Sequence, residues 1–252
     1  MTLPTSASVL STANIGAFFD IDGTLLPAPS LEWRFAGYLL THDKICGTNI
    51  IRWLAHHAAT LLDASRTPFK ANKCYLARVR GSVVADWEKS LEMDSPAATT
   101  LPLFGEGIER IFWHLAQGHR VFLVSGTLAP LARAIAKHFR GAVGVCATEL
   151  EVRDRRWTGR LAGEHLSGAA KVRAIRSLAR KHDLLLACSY AYGNDIADAP
   201  MLDAVGHAVA VNPSKHLARF AIDREWQMLH WNGVGAACGN SNMRLLSAET
   251  AQ

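Results

Sequence analysis

Apolar residues along this chain keep two different rhythms, and the change between them divides it. Ile15-Gly-Ala-Phe-Phe19 is an apolar run stopped by Asp20-Ile-Asp22-Gly23, and its length predicts a buried strand. From residue 28 to 104 the spacing becomes helical, after Pro27 and Pro29 break the chain. Ile50, Ile51, Leu54, Ala58, Leu61 and Leu62 recur on one helical face. Thr67-Pro68 reads as an N-cap followed by proline in the first turn, and a third helix is expected from Ser82 to Met93. No strand is expected in this stretch.

Beyond Pro102 short apolar runs alternate with helical segments. A helix near 106–117 leads to the strand Arg120–Val124, then come a helix near 128–139 and an apolar run at 142–149. Glu151–Trp157 has polar residues between strand formers and reads as a hairpin. A helix over 169–182, the strand Cys188–Tyr192, a short helix and the strand His207–Val211 complete the series. Strands separated by single helices join through parallel crossovers, so the expected fold class is α/β with a doubly wound parallel sheet. Residues 1–27 and 105–231 then form the core, 28–104 a helical insert behind the first strand, and 232–252 a loose, small and polar tail.

Composition narrows the function classes. Of the 252 residues, 49% are hydrophobic and 19% charged, enough for a sizeable core and against chain-wide disorder. The net charge of +5 suits an anionic substrate, but no basic stripe interleaved with aromatics points to nucleic acid. Five scattered cysteines without a Cys-x-x-Cys pair predict reduced thiols rather than disulfides or a zinc site, and the eleven histidines show no ligand spacing. No apolar run reaches the roughly 18 residues of a membrane span. The N-terminal stretch lacks a basic leader, so a cytoplasmic location is the default expectation. Nothing in the sequence specifies an oligomeric state.

Chemistry-bearing residues gather where a parallel sheet places ligands, at the carboxyl ends of strands. The first strand ends in Asp20-Ile21-Asp22-Gly23-Thr24, the second in Ser125-Gly126-Thr127, and a later one in Gly193-Asn194-Asp195-Ile196-Ala197-Asp198. Lys171 opens the helix before this last strand. One carboxylate of the first pair can attack phosphorus while the other handles the leaving oxygen's proton. Crowded carboxylates need a cation, and oxygen donors fit a hard divalent ion, magnesium (Mg2+). Lys171 and Ser125 can hold phosphoryl oxygens as charge develops. Ser125 could equally cap a helix, and Asp198 could cap the next one.

These four clusters, in order, resemble the motifs of the haloacid dehalogenase superfamily of phosphatases. Ala147–Val152, Trp157–Gly163, Ala191-Tyr192, Asp195–Leu202 and Asp203–Pro213 are similar to its phosphoserine-phosphatase-like branch. The resemblance implies a Rossmann-like core, a helical cap at 28–104, and a magnesium-dependent phosphatase acting on a small phosphorylated metabolite. It implies Asp20 as the nucleophile that forms an aspartyl-phosphate and Asp22 as general acid, then base. Thr24, Ser125, Gly126 and Lys171 would bind the phosphoryl group. Asp20, the carbonyl of Asp22, and Asn194 or Asp195 would hold magnesium, with Asp198 in support.

Two departures stand out. Asn194 occupies a position where the family usually has an acid, which would weaken the metal unless Asp195 takes over. The family's phosphoserine phosphatases have a glutamate shortly after the first motif; here that stretch is Leu25–Ser30, and Glu32 comes later. Transfer of the phosphoryl group to an acceptor other than water, and a degenerate member that only binds a ligand, stay open. In the insert, Trp33 and Trp53 are candidates for its inner face.

Overall fold

The computed structural model describes residues 14–62, 72–92 and 101–233. The helix expected from Thr67-Pro68 and all but the first two residues of the expected tail lie outside them. Six strands form one sheet: β1 (Gly16–Phe19), β2 (Arg120–Leu128), β3 (Val143–Thr148), β6 (Tyr190–Gly193), β7 (His207–Val211) and β8 (Gln227–Leu229). Their order is β3-β2-β1-β6-β7-β8 and every adjacent pair is parallel. The chain builds outward from β1 to β3, then returns to β1's other edge with β6. That reversal creates a crevice at the carboxyl ends of β1, β2 and β6.

Both faces of β1 are covered, which is why its four residues are all apolar or small instead of alternating. Phe18 stacks on Phe122, with ring centroids 5.7 Å apart, within a cluster that includes Ile175 and Leu217. Phe19 points the opposite way, stacks on Tyr192 at 4.2 Å and joins Leu123, Ile111 and Ile135. Helices α4 (Gly105–Ala116) and α5 (Ala129–Lys137) supply residues to the second cluster. Helices α6 (Ala169–His182), α7 (Ala199–Leu202) and α8 (Lys215–Asp223) supply the first.

The insert holds α1 (Leu31–Thr41), α2 (Gly47–Leu62) and α3 (Val83–Glu92). Ser30 caps α1 by accepting from the Trp33 amide at 3.3 Å, and Leu31, Phe35 and Leu39 form its buried stripe. The expected hairpin forms as β4 (Leu150–Arg153) and β5 (Arg156–Leu161), joined by Asp154-Arg155 with both residues at positive φ. It does not join the main sheet. The Arg78 amide donates to the Trp157 carbonyl at 2.7 Å, the Trp157 amide to the Val79 carbonyl at 2.8 Å, and Arg80 bridges Arg156. Among the described residues of 28–104 no strand forms, and the contact with the hairpin is a single isolated bridge with two flanking backbone hydrogen bonds.

Boundaries moved elsewhere. β2 does not stop at Val124 but continues through the Ser125–Thr127 motif, with a register shift against β3. Leu186–Cys188 is a 3-10 turn, so β6 starts at Tyr190. Cys46, Cys74, Cys146 and Cys188 are free thiols. Among the described residues no helix is long and apolar enough to cross a membrane.

One buried polar contact carries a pH dependence. His114 on α4 is fully buried, with Nε2 2.8 Å from the Tyr192 hydroxyl and Nδ1 2.8 Å from Nδ1 of His119. Burial, with His119 and Arg110 adding repulsion, lowers its pKa to about 3. Between the ordinary value and that one, the unfolded chain takes up a proton that the fold refuses. The stabilisation is complete above about pH 6.5 and is lost as pH falls, by up to about 1.4 kcal/mol per unit. Urea midpoints measured at pH 7, 6 and 5 should fall steadily, and should fall less in His114→Gln. An equal slope in the variant would assign the dependence to other groups.

Candidate active site

The first cluster is built by a tight loop at the end of β1. The Asp20 amide continues the ladder to the Tyr192 carbonyl at 2.9 Å. The carbonyl of Ile21 then accepts from the amides of Thr24, Leu25 and Leu26, so the chain folds back on itself. Gly23 sits at φ +86°, and a Cβ there would lie 2.0 Å from Nδ2 of Asn194. The missing side chain is what lets the first and last clusters touch.

Asp20 is 6% exposed, Lys171 3% and Asp198 3%, and the three form one ion group. Lys171 Nζ donates to Oδ1 of Asp20 and to Oδ1 of Asp198, both at 2.6 Å. Asp198 Oδ2 accepts from the amides of Asn194 and Asp195 at 3.1 and 3.0 Å. Asp195 Oδ1 in turn accepts from the Ala197 amide at 3.0 Å, closing a reciprocal cap on the turn Ile196–Asp198. Asp198 thus caps the turn and orients Lys171 at once.

Electrostatics follow from this burial. Desolvation is the largest influence on Asp20 and raises its pKa; Lys171 opposes it, while Asp198 and Asp22 add to it. Burial works against the Lys171 ammonium, yet Asp198 and Asp20 outweigh it and hold the lysine charged. Asp22 is also raised, mainly by burial, although its Oδ1 accepts from the Leu31 amide at 2.6 Å. That bond ties its carboxyl to the N-terminal end of α1, where the helix dipole favours an anion.

The second cluster lies where β2 shifts register. Ser125 is buried and its Oγ accepts from the Thr127 amide at 3.3 Å; it does not cap α5, whose N-cap position is Leu128. The Gly126 carbonyl accepts from Oγ1 of Thr148 at 2.8 Å. A Cβ on Gly126 would lie 3.0 Å from Cε1 of His165, so the ring covers this glycine closely. Thr127 Oγ1 is buried without a hydrogen-bond partner among the described residues. It borders the cavity, where a ligand oxygen would satisfy it.

All these groups face one cavity of about 480 Å³ at the carboxyl edge of the sheet. Asp20, Asp22, Ser125, Gly126, Lys171, Asn194, Asp195 and Asp198 all border it. Thr24 does not. It is fully buried and its hydroxyl reaches Oδ1 of Asn194 at 3.5 Å, which corrects its expected contact with substrate: the loop turns its side chain away from the cavity. Thr127, His165, Lys73 and Tyr75 border the cavity without having been singled out as site residues. Thr127 was within reach of the Ser-Gly-Thr motif; the others carry no local signal.

The donors suited to a cation here are oxygens: the carboxylates of Asp20 and Asp195, the amide oxygen of Asn194 and the carbonyl of Asp22. Such a set fits a hard divalent ion, which would favour the charged form of Asp20 that burial disfavours even with Lys171 opposing it. Among the described residues no group of three or more histidine, cysteine or acidic side chains is placed to hold a metal ion, here or elsewhere, so the amide and carbonyl oxygens would have to contribute.

The sequence model of the haloacid dehalogenase-like hydrolases matches residues 17–203. The chain is 32% identical over 215 residues to phosphoserine phosphatase SerB1 of Mycobacterium tuberculosis, an alignment covering 84% of this chain and 69% of that protein. It is 31% identical over 238 residues to the protein named "Probable phosphatase Rv3661" of the same species, covering 87% and 76%. Among solved structures, a protein of unknown function from Bordetella pertussis Tohama I superposes with a TM-score of 0.69 at 26% identity, covering 86% of this chain and 98% of that one.

Proposed function

Because the chain belongs to the haloacid dehalogenase-like hydrolases, we propose that it is a magnesium-dependent phosphatase hydrolysing a small phosphomonoester through an aspartyl-phosphate on Asp20. The observation that carries this reading is the contact of Lys171 with Asp20 and Asp198, at 2.6 Å each, inside the cavity that Ser125 and Asp22 share. The names of the mycobacterial relatives support the phosphatase class.

In the first step an Asp20 carboxylate oxygen attacks phosphorus. The bond from phosphorus to the ester oxygen breaks, and Asp22 gives that oxygen its proton as the alcohol leaves. Burial raises the pKa of Asp22, the direction that suits a proton donor. In the second step Asp22 takes a proton from water as the water attacks the aspartyl-phosphate. The phosphorus–Asp20 bond breaks, restoring the carboxylate and releasing phosphate. Lys171, Ser125 and the Gly126 amide hold the phosphoryl oxygens, and Asp198 keeps Lys171 in place. Magnesium, held by Asp20, the Asp22 carbonyl and Asn194 or Asp195, would supply positive charge beside the phosphoryl oxygens. The insert serves as a cap, and the Asp22–Leu31 bond links its first helix to the proton-transfer group.

The test is hydrolysis of an aryl phosphate with and without magnesium. Phosphate release that depends on magnesium supports the reading; no release under either condition overturns it. Consumption of the ester without free phosphate, in the presence of an added alcohol, would assign transfer instead. A narrower test concerns Asn194. Asn194→Asp should lower the magnesium concentration for half-maximal rate roughly tenfold, since ligand charge sets affinity in oxygen sites. An unchanged requirement would leave Asp195 as the ligand.

A further inference from the structure

We propose that this cavity is built for a phosphomonoester whose alcohol is uncharged and apolar, an alkyl or aryl group, rather than for an amino-acid phosphate. The inference rests on the phosphatase reading and extends it to substrate class. One continuous cavity runs from Asp20 and Lys171 to the insert, so whatever leaves with the ester oxygen lies against the insert's wall. That wall is formed largely by Trp33, Leu40, Ile45, Ile50 and Trp53. Trp33 and Trp53 meet edge to face, their ring centroids 6.4 Å apart, making an aromatic corner. Trp33 is 59% exposed and Leu40 49%, so both keep apolar surface that a bound group would remove from water.

An amino-acid phosphate would need a carboxylate for its ammonium. Among the described insert residues bordering the cavity only Glu32 offers one, and it is already engaged. Lys73 Nζ contacts its two oxygens at 2.7 and 2.6 Å, and the Tyr75 hydroxyl donates to Oε1 at 2.8 Å. The Lys73 side chain is 4% exposed, so an incoming ammonium would meet a carboxylate whose charge a buried lysine already neutralises, and would lie beside that lysine's own positive charge. Lys73 is equally spent for a substrate carboxylate. The two charges cancel in place, and apolar surface is what the wall offers.

The experiment compares hexyl phosphate, glycerol phosphate, phosphoethanolamine and phosphoserine. All are esters of primary alcohols, so differences in leaving-group chemistry stay small. Hexyl phosphate should give a kcat/KM at least tenfold above phosphoserine, carried mainly by KM. Trp33→Ser, at an exposed position that empties no core, should raise KM for hexyl phosphate more than for glycerol phosphate; Trp53→Ser should act in the same direction. Phosphoserine equal to or better than hexyl phosphate would overturn the inference while leaving the phosphatase reading intact, as would tryptophan variants that move both KM values together. If the aryl phosphate is not hydrolysed either, the phosphatase reading fails and takes this inference with it.

Discussion

Asp20→Asn is expected to lower phosphate release by roughly 10⁴-fold or more while leaving the fold standing. An amide has the shape of the carboxylate but no charge and no nucleophilic oxygen pair, so the covalent route closes. The structural cost is smaller than the ion pair suggests. Burial is the largest influence on the Asp20 pKa and raises it, so the ionised form is itself a strain on the fold that asparagine does not carry. Lys171 keeps Asp198 as its partner. Stability should therefore change by no more than about 1–2 kcal/mol, in either direction. Aryl phosphate turnover and urea unfolding of the same preparation measure both halves. Turnover comparable to the parent would remove Asp20 from the mechanism.

The architecture was legible because three signals coincide at each buried strand: an apolar run, a stop made of turn formers, and a helix after it. β7 and α6 appear at the residues read from the sequence, and β1 within one residue. β8 carries no such signal. It is a three-residue edge strand with exposed Gln227 and Met228, and backbone pairing to β7 defines it more than its side chains do. The backbone contacts from 78–80 to the hairpin escaped for the same reason.

Within the site, motif membership identified which residues cluster but not which way each one faces. Thr24 and Asp22 belong to one turn, yet Asp22 borders the cavity and Thr24 is sealed behind it. Glu32 was visible as an acid in the wrong place for its expected role. Its partner lies 41 residues away in an irregular segment, and no periodicity could join Lys73 to it. Trp33 and Trp53 were legible as candidates for the insert's inner face. Their pairing at 6.4 Å across two helices was not.

Lys171→Met should produce the largest loss of stability in the molecule, about 3–5 kcal/mol, together with loss of turnover. Methionine fills most of the space, so packing is retained and the charge is what changes. Asp20 and Asp198 would remain buried without a cation, and Asp20, already raised by burial, would ease its position by taking up a proton. The sign of the pH effect follows. An acid whose folded pKa rises above its unfolded value binds more protons folded than unfolded, so stability is greatest below the unfolded pKa and is lost as pH climbs toward the folded one. The variant should therefore lose ground against the parent between pH 5 and pH 8. Adding Asp198→Asn removes one of the stranded carboxylates, and the double variant should recover part of the loss. Urea midpoints of parent, single and double variants at both pH values measure this. A lysine variant as stable as the parent at pH 8 would mean that the buried ion group contributes nothing to the fold and that Lys171 is retained for the phosphoryl group alone.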